Sequence, residues 1–268
     1  MKPIPPFPSY RDRYLPAMTP ARIASLPDKL WAPVILATGA IEQHGPHLPV
    51  AVDALMGQVW LSLALARLPA GASCYVTPPI TIGKSNEHTG FPGTLIISKG
   101  TLRELLLATA RQLRAWGFRQ LAVINTHGGN ISVLRYTLRE ITETIGLRAD
   151  VLRAEVKQEI SEQESTYGFH AGEVETSWML AAAGHLVRMV EARCEYPAQI
   201  DDPGELRPEA APATFSWATK DVSRTGIMGN APIATAEKGR RWLEAGADRY
   251  AALIAELCSR GRSSADEG

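Results

Sequence analysis

The chain has 268 residues, 45% of them hydrophobic and 21% charged, a balance that suits one compact α/β protein with a sizeable core and argues against a disordered or fibrous chain. Lys+Arg and Asp+Glu both number 28, so charge gives no sign of a nucleic-acid surface or an anionic membrane as partner and points to a small molecule. Cys74, Cys194 and Cys258 are odd in number, far apart and without a CxxC pair, which argues against a disulfide framework and a thiolate zinc site. The Pro-rich start lacks the apolar run of a signal peptide and no later segment reaches a membrane span, so a cytoplasmic protein is expected.

In chain order, an arm over residues 1–18 leads to Thr19-Pro20, a helix N-cap followed by Pro at the first helical position, with Pro27 as the stop. Residues 34–38 are a short apolar run, expected to be a strand buried on both faces. The polar loop Glu42-Gln43-His44-Gly45-Pro46-His47-Leu48-Pro49 follows, then a helix over about 54–68. Residues 74–77 predict a second strand, the loop 83–93 comes next, and 102–116 is a strong helical pattern. A third strand over 121–125 ends in Thr126-His127-Gly128-Gly129-Asn130, before a helix over 132–145 and a fourth strand near 149–154. Residues 197–232, rich in Pro, Gly and Ala, predict an irregular excursion, and 235–260 a final helix with Leu243, Ala247, Tyr250, Ile254 and Leu257 on one face. Strands alternating with helices imply a mainly parallel sheet covered on both faces, within one domain over 1–268, and a ligand site beyond the carboxyl ends of the strands.

Five of the six histidines (His44, His47, His88, His127 and His170) fall in loops or at element ends, and loops after successive strands converge in space. Imidazole and carboxylate together are the usual ligands of zinc or manganese. In Glu42-x-His44 the two donors point the same way if the loop is extended. Asp53 is a further donor, although a carboxylate there also favours a helix N-terminus. Gly128 and Gly129 beside His127 let backbone approach a ligand. After His170 a helix opens on which Glu173 and Glu175 project to nearly opposite faces, so one of them is expected at the site. Gly83-Lys84-Ser85 has Pro78 where a P-loop needs glycine, and no G-x-S-x-G elbow is present.

The blocks 39–49, 87–94, 125–130, 170–177, 226–229 and 234–239 resemble, in order, those of the creatininase (creatinine amidohydrolase) family. The resemblance implies a three-layer α/β/α fold, a homo-oligomer (usually a hexamer), and two divalent ions per chain, zinc or manganese with iron possible, that hydrolyse a C–N amide bond. Matched by position, Glu42, His44, Asp53 and His127 fall on metal ligands, with Asp53 bridging. His170 falls on the residue that handles protons, and Glu175 on a carboxylate at the edge of the site. Ser85, His88, Gly128 and Gly129 are expected to contact substrate.

Creatininase proper carries an aromatic residue and then a metal-binding glutamate where this chain has Gly128 and Gly129, and an aromatic wall ahead of His170 is replaced by Ser165-Thr166-Tyr167. The second ion must then borrow a ligand, with Glu175 the expected lender, or be weakly held, and creatinine becomes a poor candidate substrate. A cyclic amide, a formamide or the C-terminal end of a small peptide, as in the family branch that trims the mycofactocin precursor, all remain open. The competing class is a metal- or ligand-binding protein that has lost turnover.

Overall fold

The computed structural model describes residues 8–69, 71–197 and 217–266, the side chains of 260–266 excepted. Its frame is a parallel sheet in the order β2-β1-β3-β4, formed by β1 (Pro33–Thr38), β2 (Tyr75–Val76), β3 (Gln120–Asn125) and β4 (Arg148–Leu152). All six residues of β1 are buried. Because strand side chains alternate, Ile35 and Ala37 enter one core while Val34 and Leu36 enter the other.

The first core is closed by α2 (Val52–Leu65), α6 (Glu173–Ala183) and α8 (Ala236–Asp266), through Met56, Trp60, Met179, Leu243, Tyr250 and Ile254. The second is closed by α3 (Lys99–Ala115) and α4 (Ile131–Glu140). In α3 the Ser98 hydroxyl accepts from the Thr101 N–H, and Leu102, Leu106, Leu107, Ala110 and Leu113 form the buried stripe. The result is the expected three-layer α/β/α arrangement. Thr19 caps the short α1 (Pro20–Ala24) as its sequence predicts.

Two expectations are filled out and one needs correction. The arm packs on the body where it is described: Tyr10 and Leu15 are buried, and Tyr14 bridges to Val76 beside β2. The helix after β3 is α-helical only to Glu140 and continues as a π-turn over Ile141–Ile145, closed by Gly146 at φ 69°. Of the excursion expected over 197–232, residues 198–216 lie outside the described residues, but from 217 it is ordered into α7 (Thr219–Val222) and β6 (Gly229–Asn230), which pairs antiparallel with β5 (Cys194–Glu195). Distant carboxylates supply the order that its own periodicity lacks. Glu195 accepts from the N–H groups of Arg224 and Thr225, and Glu164 on α5 (Glu162–Tyr167) accepts from that of Asn230. Among the described residues no helix is long and apolar enough to cross a membrane.

Candidate metal centre

The donors are delivered by the carboxyl ends of β1 and β3, which lie in register at Thr38 and Asn125. The Thr38 hydroxyl donates to Asn125 Oδ1 at 3.0 Å, and the side-chain amide of Asn130 donates to the Gly39 carbonyl at 3.1 Å. Gly39 is required by close approach, since a Cβ there would stand 2.8 Å from the Asp53 carbonyl carbon in the first turn of α2. That contact fixes Asp53 over the strand ends, and the Thr126 hydroxyl holds its carbonyl at 2.8 Å. His170 arrives on a bridge to Met228, just before Ala171 at φ 54°, a left-handed conformation costing about 1–3 kcal/mol that the surrounding contacts must hold.

Asp53 stands between two groups of donors. His127 Nδ1 is 3.2 Å from both Asp53 Oδ2 and Glu42 Oε1, while the other Asp53 oxygen is 3.5 Å from His44 Nε2, itself 3.8 Å from Glu175 Oε2. One trio is therefore Glu42, Asp53 and His127, and a second is His44, His170 and Glu175, each with donor atoms within 4.8 Å of one another.

Backbone carbonyls set the histidine tautomers. His44 donates its Nδ1–H to the Glu42 carbonyl (3.1 Å), His127 its Nε2–H to that of Lys84 (3.1 Å), and His170 its Nε2–H to that of Gln43 (2.7 Å). In each ring the other nitrogen faces the carboxylates, the arrangement that orients metal-binding imidazoles once an ion takes the place of any proton there. His88 is the exception. Its Nδ1 accepts from the Gln43 amide at 2.8 Å, an amide whose orientation is fixed because its oxygen accepts from the Gly45 N–H. Its Nε2–H is therefore left to point at Glu42 Oε1, 3.4 Å away, and His88 orients that carboxylate.

Burial and the facing charges compete across the cluster. Burial raises Glu42, and it pushes Glu175 up to about 7 against the opposing charge of His44. It also drives His170 well below the ordinary histidine range. Burial works against the charged form of His44 as well, but Glu175, Asp53 and Glu42 outweigh it and carry His44 up to about 10. Asp53 is held low, against burial, by His127 and His44.

Glu42 Oε2, His44 Nε2 and Asp53 Oδ2 are buried without a well-formed hydrogen bond. Unpartnered buried polar atoms are costly, and a converging set of hard oxygen and imidazole donors fits divalent cations. A cleft of about 370 Å³ reaches Asp53, His127 and Glu175, with Gly128 on its rim and Phe169, Trp178, Trp242 and Tyr250 among its walls. An aromatic wall thus exists beside His170, built by Phe169 and by helices and not by residues 165–167.

Every residue expected to hold metal or move protons is in this cluster. Glu175 turns inward, and its Oε2 also accepts from the Ala171 N–H at 2.5 Å, whereas Glu173 turns away to pair with Lys238. Ser85, expected to face substrate, is fully buried behind His127, its hydroxyl 3.2 Å from Nε2. A Cβ at Gly129 would meet Glu87 Oε1, the Lys84 carbonyl oxygen and His127 Nε2 at 2.2, 2.3 and 2.4 Å, so this position packs against protein, while Gly128 has open space. Gln43 and Thr219, both bonded to His88 Nδ1, are parts of the site that sequence reasoning missed. Gln43 lies inside the block 39–49 and could have been flagged; Thr219 carries no local signal.

The creatinine amidohydrolase family model matches residues 16–254. The chain is 31% identical over 216 residues to the mycofactocin precursor peptide peptidase of Mycolicibacterium smegmatis, covering 78% of each protein. It is 27% identical to the creatinine amidohydrolase of Pseudomonas putida, over 85% of this chain and 86% of that one. Among solved structures, a tryptophan-to-alanine mutant of creatininase superposes with a TM-score of 0.74 at 24% identity, over 92% of this chain and 98% of that one. A glutamate-to-glutamine creatininase mutant of Zn-Zn type superposes at 0.70 and a manganese creatininase at 0.68, both at 25% identity over 91% of this chain and 97% and 98% of theirs.

Proposed function

The chain belongs to the creatininase family, and on that premise we propose that it is a metal-dependent amidohydrolase acting on an amide bond near the end of a short peptide. The observation that carries the reading is Asp53, one buried carboxylate with an oxygen toward each of two donor groups. Glu42, Asp53 and His127 would hold one divalent ion, and His44, Asp53 and Glu175 the other, with Glu175 replacing the glutamate that Gly129 lacks. When bound, such ions polarise a carbonyl and bring the pKa of water to about 7, so that hydroxide is available at neutral pH.

The chain's own residues supply the remainder. Gly128 leaves the rim of the cleft open to a substrate backbone. His170, whose Nε2–H is anchored on the Gln43 carbonyl, presents Nδ1 toward Glu42 and is the group that carries a proton to the departing nitrogen, since an amide anion does not leave unaided. Burial keeps that imidazole neutral at rest, ready to take up a proton and pass it on. A peptide is favoured over creatinine by the similarity to curated peptidases at 31% identity and by the exposed backbone at Gly128.

The test is a panel of short peptides, a lactam, a formamide and creatinine, followed by mass spectrometry with chelated protein and with protein reloaded with zinc or manganese. Release of peptide C-terminal residues only by the reloaded protein is expected. Stoichiometric ion binding with no amide cleaved would instead establish a metal-binding protein without turnover.

A further inference from the structure

β4 is the outer strand of the sheet and pairs only with β3 among the described strands. Beside its free edge runs a cleft of about 780 Å³, floored by every residue from Arg148 to Ala154 and walled by α4. Successive strand side chains point to opposite faces, so an unbroken run lining one cleft means that the backbone edge itself is presented. Arg135, Arg139, Arg148 and Arg153 line it against a single carboxylate, Asp150. Arg139 and Arg148 make exposed pairs with Glu143 and Asp150, while Arg135 and Arg153 have no ion pair among the described residues. Asn125, Ile131, Ala154 and Tyr250 line both this cleft and the one at the metal centre, so the two adjoin beside His127.

Resting on the amidohydrolase reading, we propose that the free edge of β4 and its arginines hold the body of an extended acidic peptide substrate, whose scissile end passes Asn125 and Tyr250 to reach the donor cluster. An extended chain can add to an open strand edge by main-chain hydrogen bonds, and guanidinium groups then select carboxylates by paired donors. Five residues of β4 at about 3.3 Å each span about 16 Å, enough for about five substrate residues beyond those at the metals. A second copy fits less well, because an isologous pairing of β4 with β4 would set the arginines of one copy against those of the other.

The probe is a synthetic ten-residue peptide with an N-terminal fluorophore and Asp and Glu in its N-terminal half, compared with the same peptide carrying Asn and Gln. Binding to the zinc-loaded protein is followed by anisotropy, and cleavage by chromatography. In the Arg135→Glu/Arg153→Glu double variant, both positions being exposed, the acidic-to-neutral ratio of affinity and of kcat/KM should fall about ten-fold at low salt, through KM and not kcat. Arg135→Gln/Arg153→Gln should give a smaller fall in the same direction. An unchanged ratio overturns the proposal, as does a change in oligomeric mass by light scattering, which would make the cleft a subunit interface. Charge-selective binding without cleavage of either peptide would keep the groove and remove the hydrolase reading. Cleavage of both peptides with an unchanged ratio would do the reverse.

Discussion

Restoring a side chain at Gly129 should damage the centre and not complete it. A Cβ there would lie 2.2 Å from Glu87 Oε1, 2.3 Å from the Lys84 carbonyl oxygen and 2.4 Å from His127 Nε2, where real Cβ contacts essentially never fall below 3.0 Å. The Glu87 carboxylate could swing aside, but the carbonyl is main chain and the imidazole is held by it at 3.1 Å. Gly129→Ala must therefore shift the turn Gly128–Asn130 or the Lys84 segment, an overpacking cost of about 1–3 kcal/mol. At about 2–4 °C per kcal/mol for a chain approaching this size, Tm should fall by about 2–12 °C. Because the displaced ring is the one whose Nδ1 faces Glu42 and Asp53, ion content should fall with it. Gly128→Ala, with nothing within 4 Å of its Cβ, is the control and should keep both. Gly129→Glu, which puts back the family's glutamate, should be worse than Gly129→Ala. The assays are differential scanning fluorimetry and elemental analysis after dialysis. Parent-like Tm and metal in Gly129→Ala, or a gain of metal in Gly129→Glu, would refute the argument.

Asp53→Ala should remove both ions and His127→Ala mainly one, read by elemental analysis; retention of both in Asp53→Ala would sink the bridging assignment. His170→Gln should keep the ions and the parent Tm while kcat drops about 10² to 10⁴-fold, and a mere halving would leave the mechanism without its acid. Creatinine should be turned over with kcat/KM well below about 10⁴ M⁻¹s⁻¹ in a steady-state assay with zinc or manganese, a value at or above which the substrate reading fails. His44, carried up to about 10 by Glu175, Asp53 and Glu42 in spite of burial, holds a proton at pH 7 that an ion must displace. Calorimetry in buffers of different ionisation enthalpy should thus show proton release, with affinity rising as pH rises, and absence of release at pH 7 would contradict it. A folded pKa above the unfolded value of about 6.5 also means that the stability His44 lends the metal-free protein is full below that pH and lost as pH rises toward 10, so metal-free Tm should decline across that window from this group.

The donors were legible because each follows a strand or opens a helix, positions that the alternation of strands and helices brings to one edge of the sheet. Helical periodicity put Glu173 and Glu175 on opposite faces and the family resemblance chose Glu175; the structure turns them to Lys238 and His44 respectively. What the sequence withheld depends on distant pairing. Ser85 looked like a loop residue open to substrate, and only the fold puts its hydroxyl behind His127. Residues 217–230 lacked any period because their order comes from Glu195 and Glu164, which sit tens of residues away along the chain. The free edge of β4 is a property of strand order, which no single strand's sequence encodes.

Taking a carboxylate from α6, as proposed for Glu175, changes what the second donor group depends on. Glu175 reaches His44 from the first turn of a helix whose entry carries the positive φ of Ala171, and that entry is held by one buried carboxylate, Glu164. Glu164 accepts from the N–H groups of Glu173 and Asn230 and from the Tyr196 hydroxyl, all between 2.8 and 2.9 Å. Gly172 and Gly229 leave the room it occupies, since a Cβ at either would stand 2.4 or 2.7 Å from Glu164 Oε1. The first donor group is thus anchored by the sheet, through Thr38, Gly39 and Asn125, and the Glu175 arm of the second by side chains that join α5, α6 and β6. Perturbing the C-terminal third of the chain should therefore loosen the His44 and Glu175 side before the Glu42 and His127 side.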